Sequence, residues 1–120
     1  MSRRALAGGL APALSAGWNA ANIGSVALVL SHAYGVALIV IGLFTTALFV
    51  THAALQVPAG RLCDRFGARW LGTAGLAVSA AASAGALCWR QAGFAIGIRA
   101  LTGVATGLSF VAGSDYVRRT

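Results

Sequence analysis

Apolar residues in this 120-residue chain come in long, nearly uninterrupted runs, and no other feature restricts the fold as much. Four runs separate themselves, at residues 5–31, 36–58, 70–89 and 94–113. At 1.5 Å per residue a helix of about 20 residues reaches about 30 Å, the thickness of a bilayer's hydrocarbon core, and the longer runs can tilt. The β-branched stretch VALIVIGLFTTALFV would suit either a helix or a strand in water. In lipid the choice closes, because every unpaired backbone N–H and C=O is costly there and a helix pairs its own. The expectation is an all-α integral membrane protein with four antiparallel transmembrane helices.

Composition agrees. The chain is 58% hydrophobic and 9% charged, against about a quarter charged in soluble domains. Its 16 glycines, with still more alanines, favour helices that approach closely through small side chains. All nine basic residues are arginine, and the net charge is +7. The arginines lie in short clusters between apolar runs, not on one soluble face, which argues against nucleic acid as a partner. Cys63 and Cys88 fall at opposite membrane surfaces in this reading, about 30 Å apart, too far for a disulfide.

The connections are short: HAYG, an arginine-rich loop around GRLCDRFGARW, and RQAG. Antiparallel neighbours follow. Arg3, Arg4, Arg61, Arg65, Arg69, Arg118 and Arg119 then share one side, with Arg90 and Arg99 toward the other. Arginines near helix ends favour the cytoplasm, which sets both termini there in a multi-pass protein of the cell (inner or plasma) membrane. Trp70 and Trp89 bracket the third run, and Tyr34 and Tyr116 lie near interfaces, where amphipathic rings belong. The basic start and small residues of MSRRALAGGLAPALSAGWNAA also suit a signal peptide. Its removal would leave an odd number of spans and the wrong charge bias, so the first run is read as a span.

No cluster of metal ligands occurs, no nucleophile has a base beside it, and no cofactor is implied; the sequence does not read as an enzyme. Polar residues inside the runs are more informative, since each needs a partner away from lipid. Ser15, Asn19, Asn22 and Val26 recur at helical spacing. This stripe is either a solute-contacting face or a set of interhelical hydrogen bonds. His52 and Gln56, four apart, share a face and read first as a packing pair; with Asn19 and Asn22 they are the candidates to line a solute cavity. Arg99 lies a turn or more inside the fourth run, and Gly103 and Gly107 follow at four-residue steps. That makes a glycine groove topped by a cation, or a close-packing seam with an arginine that snorkels to the interface. In the basic loop, Gly60 and Gly67 flank Asp64, whose carboxylate can cap the next helix or pair with arginine. Positive-inside topology alone needs neither the acid nor the glycines.

GRLCDRFGAR resembles the loop signature of the major facilitator superfamily, G-x-L-x-D-x-x-G-[RK]-[RK], found between that family's second and third transmembrane helices. Gly60, Leu62, Asp64, Arg65, Gly67 and Arg69 match, and Ala68 replaces one basic residue. RALTGVATG is similar to the fourth-helix signature R-x-x-Q-G-x-G: Arg99 and Gly103 match, while Thr102 and Ala105 stand where Gln and Gly are usual. The resemblance extends over essentially the whole chain. It implies a secondary transporter moving a small solute by alternating access, with the lipid bilayer and the solute as partners. It further implies a cytoplasmic gate contact between Asp64 with its arginines and the other half of the molecule, and a part for Arg99 in coupling to protons.

Family members have about twelve spans in two six-helix halves, so residues 1–120 are expected to be the first four helices of an N-terminal bundle, working with the remaining helices of a full-length transporter. Two other readings remain. One is a complete four-helix multidrug exporter acting as a dimer, although such exporters resemble one another in a membrane-embedded Glu that is absent here. The other is a non-transporting membrane adaptor or a nonfunctional remnant.

Overall fold

A computed structural model describes residues 2–119, and every regular element in them is helical. The elements are α1 (Arg3–Ser25), α2 (Ala27–Tyr34), α3 (Leu38–Ala54), α4 (Gln56–Phe66), α5 (Ala68–Gly85) and α6 (Ala92–Arg119). The bundle is 47 Å along its long axis, enough to cross the hydrocarbon core and reach both headgroup layers.

The first apolar run is broken. Its two pieces, α1 and α2, meet at Val26 with a bend of 68°. Gly24 and Ser25 precede the break, and the Ser25 hydroxyl donates to the Ala21 carbonyl at 3.4 Å, a combination that bends helices. The HAYG segment is correspondingly less of a loop than its sequence suggests: α2 continues through Tyr34, and Gly35 ends it at φ +63°. The Gly35 and Val36 amides donate to the His32 and Ser31 carbonyls at 3.3 and 3.1 Å, closing the helix end.

The basic segment is the largest departure from expectation. Residues 56–66 form α4, which continues α3 so closely that Leu38–Phe66 acts as one 29-residue helix. The interruption at Leu55 follows from Pro58, whose ring lacks an N–H and crowds the Ala54 carbonyl four residues back. The reversal itself is one residue long, Gly67 at φ +88° and ψ +150°, a conformation a side chain would resist. Asp64 therefore lies inside a helix and does not cap α5, which begins without a side-chain cap.

Among the described residues two helices, Leu38–Phe66 and Ala92–Arg119, are long and apolar enough to cross a membrane, and the bent pair α1–α2 makes a third if counted as one. The 18-residue α5 is made largely of Ala, Gly and Ser, carries Arg69 in its first turn, and ends at Gly85, short of Trp89.

Helix α6 is the hub, packed by α1, α3 and α5. Direction follows from the residues that meet. Gly9 lies beside Gly113, and Asn19 beside Arg99, so α1 and α6 are antiparallel. Gly72 meets Ala112, and Gly85 meets Ile98, so α5 is antiparallel to α6 as well. Gly103 packs on Leu48 and Gly107 on Leu55, which makes α3 and α6 parallel. The start of α1, the α4–α5 reversal and the end of α6 thus share one end, which carries most of the arginines. The largest fully buried side chains are Phe44, Ile41 and Leu48, all on α3. Lipid is as apolar as they are, so close packing and interhelical hydrogen bonds, not expulsion from water, hold these helices together.

Candidate functional site

Glycine sets one face of α6. A Cβ at Gly103 would collide with the Thr51 hydroxyl and the Leu48 carbonyl, and one at Gly107 would stand 3.0 Å from the Leu55 Cβ and 3.2 Å from the His52 carbonyl. The groove is filled by α3. Polar groups crossing this seam are paired: the Thr51 hydroxyl reaches the Ala100 carbonyl at 2.8 Å, and His52 Nδ1 lies 2.9 Å from the Thr106 hydroxyl. The Thr106 hydroxyl also lies 3.1 Å from the Gly103 carbonyl of its own helix. Gln56 Nε2 turns back to the His52 carbonyl at 3.4 Å.

About one turn nearer the N-terminus of α6 the arrangement is different. Arg99 is buried, with 8% of its surface exposed. It does not snorkel: one guanidinium nitrogen donates to the backbone carbonyl of Asn19 on α1. The Asn19 side chain donates to Ser79 on α5 at 3.0 Å and to the Ser15 carbonyl at 2.9 Å. Beside these groups lies a cavity of about 240 Å³, walled by Asn19, Asn22, Tyr34, Ser83, Arg99 and Thr102 among others. Two buried polar atoms on its walls, Arg99 Nε and Asn22 Oδ1, find no hydrogen-bond partner among the described residues. The cavity brings together Asn19, Asn22 and Arg99. His52 and Gln56 stand elsewhere, on the α3–α6 seam and toward the charged end.

At that end, Asp64 pairs with Arg119 of α6 at 3.2 Å. Asp115, which sequence reasoning passed over, holds more: Arg118 at 2.7 Å, Arg119 at 2.6 Å and the Cys63 thiol at 3.5 Å. The signal was there, because arginines three and four residues after an acid share its helix face. Of the remaining motif residues, Leu62 packs beside Cys63 and Leu71. Arg65 lies over the Phe66 ring at 5.3 Å, and Gly60 has open space where a Cβ would stand. Arg69 lines a separate cleft beside Gly8 and Tyr116. Cys63 and Cys88 are both free, as their separation implied.

A membrane-length bundle of small-residue helices, a basic segment with an embedded acid, and a buried arginine in the last helix all coincide with a family match. The family model described as Major Facilitator Superfamily matches residues 10–120. The chain belongs to the major facilitator superfamily. It is thereby a membrane protein of a transporter family, whose members move solutes and are not enzymes. Among curated proteins and among solved structures, none matches the chain. Within this superfamily chain, α6 carries Arg99 and also packs on α4 and α5, so one helix links that residue to the Gly60–Arg69 segment.

Proposed function

We propose that the chain forms the first four spans of the N-terminal bundle of a secondary transporter, and that it moves a small solute by alternating access together with further helices of the same transporter. In this reading the cavity around Arg99, Asn19 and Asn22 is part of the solute path. The charged end is the cytoplasmic gate, where Gly60, Leu62, Asp64, Arg65, Gly67 and Arg69 face the opposing half. Arg99 has a part in coupling, with protons as the coupling ion.

The observation that carries the reading is the cavity itself: a buried, permanently charged side chain and an amide oxygen with no partner among the described residues, both within apolar helices. Ionisable groups at membrane depth are expensive and mark solute or ion paths. The Asp64–Arg119 pair is exposed and within the bundle's own end, so it is free to exchange for a contact with another part of the transporter.

The test is solute uptake by cells expressing the reading frame that encodes the chain, with Asp64→Asn and Arg99→Ala. Uptake falls at least tenfold in Arg99→Ala and severalfold in Asp64→Asn if the two sites act as proposed. Undiminished uptake in both variants removes the gate and the coupling roles together.

A further inference from the structure

We infer that the cavity beside Arg99 takes a small organic monoanion, a carboxylate bearing a hydrogen-bond donor such as a hydroxyl. The inference rests on the transporter reading and assigns a solute class to the same cavity.

Charge decides the class. Arginine stays protonated in proteins, and a buried cation without a counter-charge is strongly unfavourable. Within this chain no acid can supply one. The sequence contains two acidic residues, and both are engaged at the charged end, Asp115 by Arg118 and Arg119, Asp64 by Arg119. Arg99 has a neutral backbone carbonyl as its partner, and its Nε–H has none among the described residues. An anion in the cavity would meet both needs, since a planar guanidinium and a planar carboxylate match geometrically.

The second unpaired atom refines the class. Asn22 Oδ1 is an acceptor on the cavity wall, so it asks for a donor, which a bare carboxylate lacks and a hydroxy acid carries. Volume bounds the size. About 240 Å³ is smaller than the roughly 300–1,000 Å³ typical of drug-sized ligand pockets, which suits a small metabolite.

The experiment is calorimetric titration of the full chain in nanodiscs of zwitterionic lipid, with propionate, L-lactate, propionamide and chloride as probes. Lactate binds most tightly, propionate next, and the neutral propionamide at least tenfold more weakly than propionate. Arg99→Gln abolishes the preference for the acids, and Arg99→Lys, which keeps the charge, retains part of it. Asn22→Leu removes the advantage of lactate over propionate and leaves propionate bound; circular dichroism establishes that each variant is folded. Equal binding of propionate and propionamide, no binding of either acid, or unchanged carboxylate affinity in Arg99→Gln overturns the inference. So does chloride that competes as well as propionate. Binding requires no turnover, so the two readings fail separately: carboxylate binding without uptake counts against transport alone, and uptake with a cavity indifferent to charge counts against the anion assignment alone.

Discussion

Two levels of α6 use similar residues to opposite ends. Toward α3 the helix presents Gly103, Gly107 and Thr106, the backbones close in, and the polar groups that cross find partners. Nearer its N-terminus it presents Arg99 and Thr102 to α1 and α2, the walls stay apart around a cavity, and a charge-bearing nitrogen has no partner among the described residues. The difference separates polar groups that hold helices together from polar groups kept for something else. In a membrane, where apolar contact with a neighbouring helix gains little over contact with lipid, unspent hydrogen-bonding capacity is the more telling sign.

Breaking the close-packed level should do the most damage to stability. Gly103→Leu drives a branched side chain into the Thr51 hydroxyl and the Leu48 carbonyl; the expected loss is about 3 kcal/mol or more, seen as a large drop in melting temperature in detergent. Gly107→Ala, whose Cβ has slightly more room, is expected to cost about 1–3 kcal/mol. Thr106→Val keeps the shape but leaves His52 Nδ1 without its hydrogen-bond partner; about 1 kcal/mol is expected, the usual worth of such a bond. Gly42→Ala is the control of opposite sign. Nothing lies within 4 Å of the added Cβ, and replacing a mid-helix glycine should stabilise by up to about 1 kcal/mol. At the charged end, Asp64→Asn should leave the melting temperature unchanged, because both partners of its ion pair are largely exposed. If Gly103→Leu melts no earlier than Gly42→Ala, the closed seam is not what holds α3 to α6.

How much of this was written in the sequence depends on which physical signal a residue sends. The apolar runs declare helices, since lipid permits little else, and the spacing of Gly103 and Gly107 declares a close-packed seam. The bend at Val26 is hidden, because Gly24 and Ser25 sit within continuous apolar sequence and only the backbone shows the helix failing there. Charge misleads in GRLCDRFGARW. Polar residues read as a loop, yet Ala59 and Cys63, four apart, are buried on one side of a helix, and the turn needs Gly67 alone. Arg99 showed its position but not its partner: a backbone carbonyl eighty residues earlier leaves no mark in composition or spacing.

A connection of one residue has no slack. Gly67 joins α4 to α5 directly, so the length of that link also fixes the angular phase of everything after it. One residue added in helical form between Gly67 and Leu71 would rotate the rest of α5 by about 100°, swinging Gly72 and Gly75 away from α6, against which they now lie. The reversal thus works as an indexing stop as well as a corner: it sets which side of α5 the hub helix touches.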